Sequence, residues 1–83
     1  MPWRIDYKAS VQHDLRRLDL ADRLRIIDDF EAALSADPHQ GEHLSGQFKG
    51  LLKYRVGEYR VIYSIEKDGV LVLRIGHRST VYR

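Results

Sequence analysis

The chain has 83 residues, of which 43% are hydrophobic and 31% are charged, and its formal net charge is +2. A chain of this length builds one hydrophobic core, so we expect a single domain over residues 1–83. The sequence contains no cysteine, which excludes disulfides, thiolate metal sites and a cysteine nucleophile. No apolar run approaches the roughly 18 residues that span a bilayer and no leader opens the chain, so we expect a cytoplasmic protein without a membrane partner.

The two halves of the chain differ in charge. Residues 1–46 carry six Lys or Arg and nine Asp or Glu, a balance of −3, whereas residues 47–83 carry eight and three, a balance of +5. A basic half favours a polyanion or an acidic protein as partner, because the summed charge of one face attracts such ligands. The alternative is chance asymmetry in a small domain.

The first half of the chain predicts a strand followed by two helices. Residues 3–7 alternate between apolar and charged side chains, as a half-buried strand does. Helical spacing then covers residues 11–18, and Asp19 has the position of an N-cap that starts a second helix at Leu20. This second helix is expected to end before Pro38. Its predicted apolar stripe comprises Leu20, Leu24, Ile27, Phe30 and Leu34.

The second half of the chain predicts an antiparallel meander. Residues 39–50 are polar and contain three glycines, which indicates a connecting loop. Strands are predicted at residues 52–56, 59–66 and 70–75. The first two of these strands are joined at Gly57-Glu58, where the glycine suits the positive φ that a type II′ turn requires at its first position. The expected fold is therefore α+β, with two layers and the element order β-α-α-β-β-β.

Alternation along these strands predicts one apolar and one basic sheet face. The apolar face, expected against the helices, contains Tyr59, Val61, Tyr63 and Ile65 with Leu71, Leu73 and Ile75. The opposite face collects Lys53, Arg55, Arg60, Arg74 and, by continuation, Arg78. These cations, with almost no carboxylates among them, repel one another unless an anion binds there. The alternative is a solvated face whose charges are spread apart.

The segments LLKYRVGEYRVIYSI at 51–65 and VLVLRIGHRSTVYR at 70–83 resemble the RelE-type toxins of the RelE/ParE toxin superfamily. The resemblance extends over nearly the whole chain and includes the LSG loop at 44–46. It implies a RelE-like fold and the toxin of a type II toxin–antitoxin system. Such a toxin is a metal-independent, ribosome-dependent endoribonuclease that cleaves messenger RNA and is neutralised by a co-produced antitoxin.

In the reaction that the resemblance implies, a ribose 2′-hydroxyl attacks the adjacent phosphodiester and leaves a 2′,3′-cyclic phosphate and a 5′-hydroxyl. No metal and no other cofactor is implied. The implied partners are a cognate antitoxin, messenger RNA in the ribosomal A site and the ribosome itself. The toxin–antitoxin complex is also expected to bind operator DNA through its antitoxin.

Four residues match catalytic positions of the resembled family. Arg60 matches an arginine that contacts the scissile phosphate, and Arg78 matches one assigned to phosphate stabilisation or leaving-group protonation. Tyr82 matches a tyrosine that stacks on an RNA base and helps to activate the nucleophile, while Lys53 matches a lysine for charge stabilisation or proton acceptance. Each of these residues also has a purely structural alternative. Arg60 could cap a helix or bridge to Glu58, Tyr82 could close the core, and Lys53 could be solvated.

Three further residues are expected to contact RNA. Arg55 and Arg74 contribute positive field, and His77 is a candidate acid or base because histidine titrates near neutral pH. The alternation of the last strand places His77 toward the core side. The chain departs from the family at Leu51, where the fullest basic sites carry another lysine, and at His77, which is often lysine. The proton acceptor is left open among three residues: Lys53, His77 and Tyr82.

Two other functions are compatible with this fold. ParE-like toxins inhibit DNA gyrase by binding, without a nuclease site, and an inactive member would serve only as a DNA-binding corepressor with its antitoxin. The combination of Arg60, Arg78 and Tyr82 favours the nuclease, because a toxin that acts by binding alone does not need it.

The segment from His39 to His43 also matches the H-x-x-E-H pattern of a zinc protease. That chemistry requires both histidines on one helix face and a third ligand. Pro38 and Gly41 argue against a helix here, so we predict no metal site.

Overall fold

The computed structural model describes residues 2–82, and Met1 and Arg83 of the predicted domain lie outside the described residues. The helices are α1, Val11–Arg16, and α2, Leu20–Ala36. The strands are β1 (Arg4–Tyr7), β2 (Glu42–His43), β3 (Leu52–Val56), β4 (Tyr59–Ile65) and β5 (Gly69–His77). Short 3₁₀ turns lie at Pro38–Gln40 and Gly46–Phe48. Neither α-helix found within residues 2–82 has the length and apolar character needed to cross a membrane.

The strands form one sheet in the order β1-β5-β4-β3-β2. β3, β4 and β5 make the predicted antiparallel meander, and β1 joins it by running parallel to β5. Residues of both helices and of the sheet share one hydrophobic cluster. The predicted α+β fold class is therefore confirmed, with the helices packed on one side of the sheet.

A short strand lies within the segment that was predicted to be a loop. β2 pairs antiparallel with β3 and places Glu42 opposite Lys53. Two residues are too few to show alternation in the sequence, so periodicity misses this strand. Pro38–Gln40 is a 3₁₀ turn and β2 is extended, so His39 and His43 do not share a helix, in agreement with the prediction against the protease motif.

The buried side of α2 differs from the predicted stripe. Phe30 is fully buried, as predicted, together with Ile26. Leu20 and Leu24 are 62% and 52% exposed, so their prediction as core residues is wrong. At 3.6 residues per turn they lie about 80° and 120° from Phe30 around the helix axis, outside the arc that faces the sheet. The helix begins at Leu20 behind Asp19 as predicted, although the Asp19 side chain makes no capping hydrogen bond.

A β-bulge in β5 changes the predicted side-chain alternation. Ile62 of β4 pairs with Arg74 and the next residue of β4 pairs with Val72, which leaves Leu73 as an extra residue. One extra residue reverses the side to which the preceding side chains point. Val72 is therefore buried in the core, and the prediction that Leu71 and Leu73 face the helices is wrong.

The β3–β4 turn has the predicted backbone geometry. Gly57 has a φ of +59°, and among the described residues no position other than a glycine has a positive φ. Positive φ at the first turn position only is the pattern of a type II′ turn, which suits the twist of the two strands that it joins.

Tyrosine hydroxyls connect the sheet to the segments packed on it. Tyr63 is fully buried, and its hydroxyl donates to the Pro38 carbonyl oxygen at 2.7 Å and accepts from the Gly41 N–H at 3.2 Å. Tyr54 donates to the carboxylate of Asp29 on α2 at 2.9 Å. Burial raises the pKa of Tyr63. Its hydroxyl therefore stays protonated and able to donate at neutral pH.

The substitution Tyr63→Phe removes this hydroxyl and keeps the ring. Because the buried Pro38 carbonyl and Gly41 N–H then lose their partner, we expect the free energy of unfolding in urea to fall by about 2 kcal/mol. The matched control is Tyr54→Phe, which breaks an exposed hydrogen bond, and we expect it to change stability by less than about 0.5 kcal/mol. Equal losses in the two variants would contradict the assignment of Tyr63.

Candidate nucleic-acid interface

The side of the sheet away from the helices carries four of the predicted cations. We call it the basic face, and it consists of Lys53, Arg55, Arg60 and Arg74. Lys53 and Arg74 flank Ile62 across the strands, so these three side chains share one side of the sheet. A cleft of about 390 Å³ brings Lys53, Arg55 and Arg60 together.

Arg55 and Arg60 lie directly opposite each other on β3 and β4. Residues in this relation have Cβ atoms roughly 5 Å apart, and like-charged side chains that lie directly opposite each other destabilise a sheet. A bound anion relieves the repulsion, because each guanidinium fork donates two parallel hydrogen bonds to a phosphate or carboxylate. This pair is therefore the strongest indication of an anion site on the basic face.

One carboxylate on the basic face was missed by sequence reasoning. Glu42 of β2 lies opposite Lys53, and its Oε2 is 3.4 Å from the Lys53 Nζ. The side chain of Lys53 is only 30% exposed, so the lysine is paired and partly covered rather than solvated. The signal that locates Glu42 is the register of β2, which the sequence pattern does not reveal.

Arg60 is held by the turn that precedes β4. Its Nη1 donates to the carbonyl oxygens of Gly57 at 3.0 Å and Tyr59 at 2.9 Å. Neither of these contacts is the helix cap or the bridge to Glu58 that was considered as the structural alternative. The contacts described for residues 2–82 use Nη1 of Arg60, which leaves Nε and Nη2 for a ligand.

Arg78 is held by the same turn. Its backbone N–H donates to the Glu58 carbonyl oxygen at 2.8 Å, and its Nε donates to the Glu58 carboxylate at 2.5 Å. The hydrogen bond from Arg78 holds the pKa of Glu58 below its usual value, with smaller contributions from His77 and Arg60. Arg60 and Arg78, which are 18 positions apart in the sequence, therefore meet at the β3–β4 turn.

The C-terminal turn folds back over the basic face. Gly76 pairs with Arg60 across the strands, and a Cβ atom at Gly76 would lie 3.4 Å from Val81 Cγ2. Val81 is 3% exposed, so it covers this part of the sheet. Tyr82 follows it and is 38% exposed, with its ring centroid 5.7 Å from that of Phe48. Phe48, in the second 3₁₀ turn, was not among the predicted site residues.

His77 does not join the basic face. It pairs with Tyr59 across the strands, and the two rings contact edge to face with centroids 5.8 Å apart. The Tyr59 hydroxyl donates to Asp22 of α2 at 3.2 Å, which identifies this side of the sheet as the helix side. His77 Nδ1 is 2.7 Å from Ser79 Oγ. The predicted orientation of His77 toward the core side is confirmed, and the structure separates its ring from Lys53.

Comparison with known proteins shows the family to which the chain belongs. Residues 5–82 match the model of a family described as the ParE toxin of the type II toxin–antitoxin system parDE. Toxin RelE of Mycobacterium tuberculosis is 33% identical over 99% of this chain and 88% of its own length. The chain belongs to the RelE/ParE superfamily of toxins. Toxin RelG of the same organism is 28% identical over 100% of this chain and 99% of its own length.

The fold of this RelE/ParE toxin also matches a solved structure. A chain of the toxin–antitoxin complex RelBE2 from Mycobacterium tuberculosis aligns with a TM-score of 0.86 and 26% identity, over 94% of this chain and 100% of that chain. The predicted family and fold are therefore confirmed, and the protein is a toxin of the type that occurs in type II toxin–antitoxin systems.

The substitution Glu42→Gln removes the carboxylate beside Lys53 and raises the net charge of the basic face by one. We expect the variant to bind heparin about threefold more tightly at low salt, because an exposed ion pair changes a free energy by less than about 1 kcal/mol. The difference should vanish at high salt, where exposed charges are screened. The matched control is Asp28→Asn, the same charge change on the exposed side of α2. Equal shifts in the two variants would mean that heparin does not bind at the basic face.

Proposed function

We propose that this RelE/ParE toxin is a metal-independent, ribosome-dependent endoribonuclease that cleaves messenger RNA in the ribosomal A site. The observation that carries the proposal is the opposed pair of Arg55 and Arg60 in the cleft of the basic face. A phosphodiester between these guanidinium groups relieves their repulsion and receives bidentate hydrogen bonds. Arg78, at the turn that joins the two strands, adds a third guanidinium to the same anion.

The proposed reaction follows from these positions. The ribose 2′-oxygen forms a bond to the adjacent phosphorus while the bond from phosphorus to the 5′-oxygen breaks, which leaves a 2′,3′-cyclic phosphate. Arg60 and Arg78 stabilise the negative charge that builds up on the phosphate oxygens in the transition state. Arginine does not release its proton in proteins, so Arg78 stabilises the leaving 5′-oxygen and water supplies the proton that this oxygen takes up.

The proton of the attacking 2′-hydroxyl needs an acceptor on the same side of the sheet. Of the three predicted candidates, Lys53 lies in the cleft and Tyr82 ends the turn over the basic face, whereas His77 faces the helix side. We assign the acceptor role to one of the first two. The partly exposed ring of Tyr82 also offers a stacking surface for an unpaired RNA base, and Arg74 contributes positive field.

We also propose that the toxin binds a cognate antitoxin. The RelBE2 structure that this chain resembles is a toxin–antitoxin complex. In this chain Leu20 and Leu24 are exposed on α2, and an apolar groove lies beside Tyr7 and Ile27. These surfaces suit an amphipathic segment, and the basic face suits an acidic one. The complex would then bind operator DNA through its antitoxin.

A second candidate function is inhibition of DNA gyrase by binding, without RNA cleavage. The observation that favours it is the family match of residues 5–82, which is to the model of the ParE toxin. Under this alternative the basic face holds an acidic protein surface or DNA in place of messenger RNA.

Primer extension on a defined messenger RNA in a purified translation system tests the nuclease. We expect the wild-type toxin to cut within codons only when ribosomes are present. Arg78→Ala should lower the cleavage rate by about 100-fold, because one transition-state donor contributes about that much. The matched control is Arg16→Ala, which removes an exposed arginine of α1 and should leave the rate unchanged.

A message that stays intact with active ribosomes would contradict the nuclease. The same protein is then added to gyrase and supercoiled DNA, where accumulation of cleaved DNA would support the second candidate. Intact DNA in that assay would contradict the second candidate as well.

A further inference from the structure

The β3–β4 turn supplies the contacts of both functional arginines. Gly57 and Tyr59 accept hydrogen bonds from the Nη1 of Arg60 through their carbonyl oxygens. Glu58, between them, accepts from Arg78 twice, through its carbonyl oxygen at 2.8 Å and through its carboxylate at 2.5 Å. Three consecutive residues, Gly57 to Tyr59, thus anchor the guanidinium groups of Arg60, which lies on β4, and of Arg78, which follows β5.

The way in which Arg78 is anchored leaves its phosphate-binding end accessible. Its contacts with the described part of the chain are made by the backbone N–H and by Nε. The two terminal nitrogens, Nη1 and Nη2, form the fork that binds two oxygens of a phosphate. A carboxylate that competes with phosphate would occupy this fork, whereas the Glu58 carboxylate contacts the guanidinium from the side.

Glu58 and Arg78 form an exposed ion pair. The hydrogen bond from Arg78 holds the Glu58 pKa below its usual value, so the carboxylate stays ionised at neutral pH. The side chains of Arg78 and Glu58 are 61% and 63% exposed, and exposed ion pairs contribute little to stability. Removal of Glu58 should therefore leave the fold intact and change only where the guanidinium lies.

We propose that Glu58 is a positioning residue for catalysis, which holds Arg78 through Nε so that Nη1 and Nη2 face the scissile phosphate. This inference rests on the proposed nuclease function and adds to it a residue that never touches the RNA. Arg78 follows the last strand and has an exposed side chain. Without Glu58 the guanidinium samples many rotamers. Ordering it in the transition state then costs conformational entropy, which raises the activation free energy.

The test compares kcat and KM for ribosome-dependent cleavage in wild type, Glu58→Ala and Glu58→Gln. We expect Glu58→Ala to lower kcat about tenfold and to change KM by less than about twofold, because positioning acts on the transition state. Glu58→Gln keeps an acceptor oxygen, so its kcat should lie between those of wild type and Glu58→Ala. A lower KM with unchanged kcat in Glu58→Ala would overturn the proposal, since it would show that Glu58 competes with RNA for Arg78.

Glu66→Ala is the matched control, because it removes a carboxylate near the other hairpin turn, where the described side-chain contact of Glu66 is with Ser64. It produces the same change in net charge and should leave kcat unchanged. A tenfold fall in kcat in this control as well would overturn the proposal, because the effect would then follow net charge and not the position of Arg78.

A second measurement reads the contact itself and does not depend on cleavage. The Nε–H proton of Arg78, assigned by its loss in Arg78→Lys, should exchange with water more slowly in wild type than in Glu58→Ala. Equal exchange rates would overturn the proposal even if the toxin cleaves RNA. A wild-type toxin that cleaves nothing would contradict the proposed function and the catalytic role of Glu58, whereas slow Nε–H exchange would still establish the contact.

Discussion

The extra residue at Leu73 in β5 is the constraint on which both faces of the sheet depend. β5 lies inside the sheet, between β1 and β4. Before the bulge Val70 and Val72 complete the core, and after it Ile75 does so while Arg74 points to the other side. Without the bulge, strict alternation would bring Arg74 into the core or move Val72 out of it. β5 therefore contributes side chains both to the apolar core and to the charged surface.

The same strand leads into the turn that completes the site. Gly76 leaves room for Val81, so the C-terminal turn lies against the sheet and brings Tyr82 beside Phe48. Arg78 lies between Gly76 and Val81 in the sequence, and its backbone N–H donates a hydrogen bond to the β3–β4 turn. The end of β5 and the C-terminal turn thus add Arg78 and Tyr82 to the cations that β3 and β4 contribute to the candidate site.

The helices and four of the strands were predictable because each exposes one side and buries the other. β2 and the bulge at Leu73 were not, because both depend on pairing between distant segments and leave no periodic signal. Glu42 was missed together with β2, and Leu71 and Leu73 were predicted on the wrong face because the bulge was not foreseen. The stripe through Leu20 and Leu24 has the spacing of a core face, and the sequence alone does not distinguish a side that packs on the sheet from one that is exposed.

The fold by itself does not decide between a nuclease and a toxin that acts by binding, because the core uses one side of the sheet and the proposed ligand site lies on the other. The opposed pair of Arg55 and Arg60 indicates an anion site on that other side, which both functions can use. A chain of this size has little stability in reserve, and the repulsion in the pair reduces it further. Any anion that binds between the two arginines stabilises the folded chain by mass action. Under the proposed function, RNA phosphates and the carboxylates of an acidic antitoxin relieve the same repulsion, so the two ligands exclude each other at Arg55 and Arg60.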